Sequence, residues 1–141
     1  MGMKPSTVVL SLPVTELDRS LLFYRDGLGL ATSGIDEGII AFELPNLSLF
    51  LVDHREYAKY TTRAGVPSAS TPAAGACIIS CAIGSKQEVD DTLARATAAG
   101  GSVSTPAGDH DGSYMGYFSD PDGHLWELVS NTRTEAAAAQ E

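Results

Sequence analysis

The chain repeats itself, and a duplication limits its folds more than any single motif does. One offset carries Leu10, Ser11, Leu12 and Val14 onto Ile79, Ser80, Cys81 and Ile83. A slightly longer one carries Glu16, Ser20, Leu21 and Gly29 onto Glu88, Thr92, Leu93 and Gly101. A third carries Leu51 and Val52 onto Leu128 and Val129, with Pro45 and Pro121 ahead of them. Three elements thus recur in the same order.

In the first half, Thr7 to Val14 alternates as a strand, with Leu10, Leu12 and Val14 on one face and Ser11 on the other. Thr15 is placed to cap a helix from Glu16 to about Asp26, with Leu17, Leu21 and Tyr24 in a stripe that Leu22 and Phe23 widen. Gly27-Leu28-Gly29 stops it. Strands follow at about Ala31–Asp36, Ile39–Glu43 and Leu47–Val52, separated by turn residues. In the second half, a strand from Cys77 to Ile83 leads into a helix from Lys86 to Ala99. Strands at Ser102–Thr105, Tyr114–Ser119 and Leu125–Ser130 then follow, the last two joined by Asp120-Pro121-Asp122-Gly123. The expected fold is α+β: two βαβββ modules, each with one helix packed on a curved sheet, around a cavity. The modules span about 7–53 and 76–130 of a single 1–141 domain. Residues 54–75 read as a linker with a short helix at Glu56 to Thr61, and 131–141 as a flexible tail.

A length of 141 residues suits one domain with its own core. No apolar run approaches a membrane span and the start has no signal-peptide core, so a cytoplasmic protein is expected. The formal net charge of −9 argues against nucleic acid, which needs a basic surface. It suits cationic ligands, or simply solubility. On one strand, Cys77 and Cys81 would stand roughly 13 Å apart, too far for a disulfide.

Two segments carry a family resemblance. Leu12-Pro13-Val14-Thr15-Glu16-Leu17-Asp18-Arg19-Ser20, with Phe23-Tyr24 and Leu28-Gly29, resembles the opening of vicinal-oxygen-chelate proteins. Gly116-Tyr117-Phe118-Ser119-Asp120-Pro121-Asp122-Gly123-His124-Leu125-Trp126-Glu127 resembles their closing motif. The likeness runs from about Thr7 to Ser130 and looks most like a branch described as predicted lactoylglutathione lyases. The family includes glyoxalase I, extradiol dioxygenases, fosfomycin-resistance transferases and bleomycin-binding proteins. Its metal enzymes carry ligands on the cavity side of the first and last strands of each half. Carried over, those places fall on Val9, Phe50, Ile78 and Glu127. Only Glu127 is a metal donor, whereas a catalytic site needs about three.

The resemblance therefore implies a small-molecule binder without the usual metal centre and with no cofactor. Glu127 is its anchor or catalytic group, and Ser11, Phe50, Ser80, Tyr114 and Tyr117 are further ligand-binding candidates. Glu127 reads either as a ligand counter-charge or general base, or as a carboxylate bonded to a tyrosine or serine for packing. His124 serves the turn through Asp120 or Asp122. His110, between Asp109 and Asp111, sits on a loop. Two alternatives stay open. One is a lyase, isomerase or dioxygenase with Ni, Zn, Mn or Fe held by ligands such as His54, His110 or Glu43. The other is a protein that sequesters a cationic antibiotic. A homodimer is expected, because the family often pairs halves between chains.

Overall fold

Alternation of apolar and polar residues sets the strands, and their pairing groups them into two sheets. A computed structural model describes residues 2–66 and 75–140. It has two compact units, Met1–Pro72 and Ala73–Glu141. Each holds one four-stranded mixed sheet.

In the first unit, β1 (Val9–Val14) leads to α1 (Leu17–Leu21), which runs on as a π-helical stretch, Leu22–Gly27. Then come β2 (Ile35–Asp36), β3 (Ile39–Leu44), β4 (Leu47–Asp53) and α2 (His54–Arg63). The strand order is β1-β4-β3-β2, with β1 parallel to β4 and the other pairs antiparallel. Leu12, Val14, Ile40, Phe42, Leu49 and Leu51 are buried on the face that meets the helix. Phe23 and Tyr24 are both fully buried there, edge to face at 4.9 Å. Tyr24 also lies 5.6 Å from Phe42.

The second unit repeats the plan. It has β5 (Ile78–Ala82), α3 (Lys86–Ala98), β6 (Gly108–His110), β7 (Ser113–Ser119), β8 (Leu125–Ser130) and α4 (Thr132–Ala139). Its order is β5-β8-β7-β6, with β5 parallel to β8. The core is Ile79, Val89, Leu93, Ala96, Phe118, Trp126 and Leu128, with Phe118 and Trp126 stacked at 5.8 Å. Gly116 on β7 is what lets α3 approach. A Cβ there would stand 2.7 Å from Leu93 Cδ1 and 3.2 Å from Val89 Cγ1. Ser85 caps α3 by accepting from the Glu88 N–H, and the Glu88 carboxylate accepts from the Gly84 N–H in return.

Several local expectations need correcting. Thr15 precedes the N-cap position of α1. Glu16 is the N-cap, without a side-chain cap bond, and the Thr15 hydroxyl accepts from Arg19. Leu22 does not widen the buried stripe: it is 60% exposed, because the wider π-helical turn brings Phe23 and Tyr24 inward instead. The strand at Ala31–Asp36 shrinks to Ile35–Asp36, since the Thr32 hydroxyl, not a strand N–H, donates to the Ala41 carbonyl. The strand at Ser102–Thr105 reduces to one bridge, Ser102 to Ser119. Its place is taken by β6, which pairs with β7 through a tight turn at Asp111-Gly112, both at positive φ. His110 is accordingly on a strand, not a loop.

The segment read as a flexible tail forms α4, started by a capping box between Asn131 and Thr134. The start of the segment read as a linker is α2, longer than the short helix expected; residues 67–74 lie outside the described residues. Cys77 and Cys81 are both free thiols. No helix among the described residues is long and apolar enough to cross a membrane.

Candidate functional site

Each sheet has one face under its helix and one face turned away from it. On the second sheet, register decides what the open face presents. Ser80 on β5 pairs with Glu127 on β8, and Glu127 pairs with Tyr117 on β7. The three side chains form a row across three adjacent strands. The Ser80 hydroxyl donates to Glu127 Oε1 at 2.9 Å. The Tyr117 hydroxyl donates to Glu127 Oε2. Each carboxylate oxygen is thus held by one neutral donor. Tyr117 keeps its proton above the usual phenol range, first because of that bond and second because of burial. Glu127 and Tyr117 are half-buried and Ser80 is exposed.

The rows on either side are apolar but for Ser119, which pairs with Leu125. Ile78 and Ala82 flank Ser80, Leu125 and Val129 flank Glu127, and Met115 precedes Tyr117 on the same face. The sequence named the row's members but missed this apolar surround. The five-residue loop closing Ser119 onto Leu125 already fixes Tyr117 opposite Glu127, and that was the available signal.

Tyr114 is not brought into the row. Strand parity turns it to the helix-covered face, where its hydroxyl donates to Asp90 Oδ1 at 2.6 Å. Lys86 lies over its ring, 5.6 Å from the centroid, and within 3.7 Å of Asp109. The Asp90 bond holds the Tyr114 phenol above its ordinary range.

The first sheet carries the counterpart row. Ser11 on β1 pairs with Phe50 on β4, and Phe50 with Ala41 on β3. By the internal repeat, Ser11 corresponds to Ser80 and Phe50 to Glu127, so the first half holds an aromatic ring where the second holds a carboxylate. Val9 and Ile78 stand at the starts of β1 and β5 and are 45% and 53% exposed.

The remaining titratable candidates are scattered. Glu43, exposed on β3, accepts from the Ser48 hydroxyl at 2.7 Å. His54 begins α2, beside Asp53, whose carboxyl is held below its ordinary range chiefly by its bond to the Arg55 guanidinium. His110 is exposed on β6. His124 is buried, and its backbone exchanges hydrogen bonds with Asp120 at 2.8 and 2.9 Å. Among the described residues, no group of three His, Cys, Asp or Glu side chains is placed to hold a metal ion. A groove of about 700 Å³ in the first unit is lined by the Glu16, Arg19, Asp53 and Arg55 charges with Leu22 and Ile35. It contains no member of either row.

Two four-stranded sheets, each with parallel first and last strands and a single crossover helix, define a class of paired βαβββ proteins. The family model described as "Glyoxalase/Bleomycin resistance protein/Dioxygenase superfamily" matches residues 6–128, and the chain belongs to that superfamily. Solved structures agree. A glyoxalase-related enzyme from Fulvimarina pelagi is 28% identical, with a TM-score of 0.78, over 89% of this chain and 88% of that one. A glyoxalase/bleomycin resistance protein/dioxygenase from Nocardioides is 27% identical, with a TM-score of 0.72, over 92% and 85%. A lactoylglutathione lyase from Agrobacterium tumefaciens is 27% identical, with a TM-score of 0.65, over 90% and 95%. No curated protein matches the chain.

Proposed function

We propose that this protein binds a small organic molecule on the open face of its second sheet, with Glu127 as the polar anchor. The observation that carries the reading is the row itself. Two hydroxyls from two other strands fix one carboxylate among mostly apolar neighbours. Small-molecule sites have this composition: apolar lining with few, well-placed polar groups.

The reading does not require a resident metal. The four places where metal enzymes of the family carry ligands hold Val9, Phe50, Ile78 and Glu127. One carboxylate among three hydrocarbon side chains does not fit a Zn, Ni, Mn or Fe centre, which takes about three protein ligands. If a bound molecule reacts here, Glu127 is the group of the row able to accept its proton. The reading extends to a homodimer, because each sheet ends on two edge strands with unpaired backbone groups that a second copy can cover.

The test compares the wild-type chain with Glu127→Gln. A panel of small organic molecules is screened by thermal shift, and hits are titrated against both proteins. Binding should weaken about tenfold or more in the variant, the scale of a hydrogen bond to a charged group. Unchanged binding to a folded variant would remove the anchor role.

A further inference from the structure

The proposed site contains a charge without a counter-charge. Both oxygens of Glu127 are bonded, but by the neutral hydroxyls of Ser80 and Tyr117. Among the described residues no Lys, Arg or His is bonded to it. The cations that form ion pairs are engaged elsewhere: Arg19 with Glu16, Arg25 with Asp26, Arg55 with Asp53, Lys59 with Glu56 and Lys86 with Asp109.

An ionised carboxylate offers about four acceptor positions. The two hydroxyls take one on each oxygen and leave one on each free. Around this point the same face carries Ile78, Ala82, Leu125, Val129 and Met115, with Ser119 beside Leu125. None of the five apolar side chains can solvate a charge, and none repels a hydrocarbon. A bound anion would meet the carboxylate unscreened. A divalent metal would find one donor.

We infer that the ligand is an organic monocation, an ammonium group on an apolar body, whose nitrogen meets the free positions of Glu127 while its hydrocarbon covers the flanking apolar residues. This rests on the binding reading above and adds the charge and shape of what binds. The formal net charge of −9 acts in the same direction, raising the local concentration of cations and their encounter rate.

The test uses three probes of one shape, benzylammonium, benzyl alcohol and benzoate, titrated into the full chain and followed by backbone amide NMR. Benzylammonium should shift the amides of Ser80, Tyr117 and Glu127 and bind about tenfold or more tighter than benzyl alcohol. Benzoate should be weakest. In Glu127→Gln the preference for the cation should vanish, while Ser80→Ala, which keeps the charge, should retain it. Equal binding of the alcohol and the ammonium, or a preference for benzoate, would overturn the assignment of a cation and leave the binding face standing. If none of the three shifts those amides, the binding reading fails, and the cation with it.

Discussion

Tyr117 and Ser80 act on Glu127 from opposite sides, and their substitutions should separate orientation from charge. In Tyr117→Phe the carboxylate loses one of its two donors and keeps the other, Ser80. The Tyr117 bond also has a pH signature. Its folded-state pKa is raised, so its stabilising contribution is fully present below the unfolded phenol value of about 10 and is lost as pH rises through the folded value. Tyrosinate absorbance should therefore show Tyr117 ionising later than a free phenol, and the late component should disappear in Tyr117→Phe. A component unchanged by that substitution would contradict the bond. At the opposite end of the polarity scale, the Ser20 and Ser130 hydroxyls are buried and find no hydrogen-bond partner among the described residues. Removing an unsatisfied buried hydroxyl costs nothing in lost bonds, so Ser130→Ala should be neutral or stabilising by about 1 kcal/mol. Denaturant unfolding measures this, and a clear destabilisation would mean the hydroxyl is bonded.

At the scale of elements, close approach and capping hold the helices. Gly116→Val should destabilise the second unit by roughly 1–3 kcal/mol, because the added atoms collide with Leu93 and Val89 and push α3 off the sheet. Thermal melts would show it; an unshifted melting temperature would mean that α3 is not tightly seated. Asp53 caps α2 through the Arg55 N–H and its carboxyl is held low. Its contribution is present above the unfolded carboxylate range and is lost as pH falls through the folded value. Asp53→Ala should cost about 1 kcal/mol near neutral pH and progressively less in acid.

Elements were legible where two signals agreed. Leu125–Ser130 was readable in full because a short, mostly apolar run is bounded by a Pro-Asp-Gly turn on one side and Asn131 on the other. β6 was not, because its three residues are too few for a period. The Asp111-Gly112 pair that marks its hairpin reads equally well as a loop. α4 was misread as a fraying tail because an alanine run has no apolar stripe, yet alanine propagates helix well once Asn131 and Thr134 start it. The π-helical continuation of α1 leaves no sequence signature, since it is Phe23 and Tyr24 seeking the core that widens the turn.

For the whole molecule, the internal repeat was the most informative feature of the sequence. It aligned Ser11 with Ser80 and Phe50 with Glu127, and strand pairing places each of these pairs at the same register in its own sheet. Duplication followed by divergence then accounts for two sheets of one plan with different open faces, one carrying an aromatic ring and one a carboxylate. Membership of the superfamily was legible from the opening and closing motifs. The chemistry was less so, because it depends on which side chains meet across strands. Alternation assigned Tyr114 to a strand without saying which face it occupies, whereas register removed it from the row and kept Tyr117.

We propose that a carboxylate anchor for an organic molecule stands where the family's metal enzymes carry their ligands. The most direct test is the metal content per chain, measured after purification without chelators and again after offering Ni²⁺, Zn²⁺, Mn²⁺ and Fe²⁺ and removing the excess. Far less than one metal ion per chain is expected in every case, because Val9, Phe50 and Ile78 supply no donors. A ratio near one, lost in Glu127→Gln, would contradict it and make Glu127 a metal ligand.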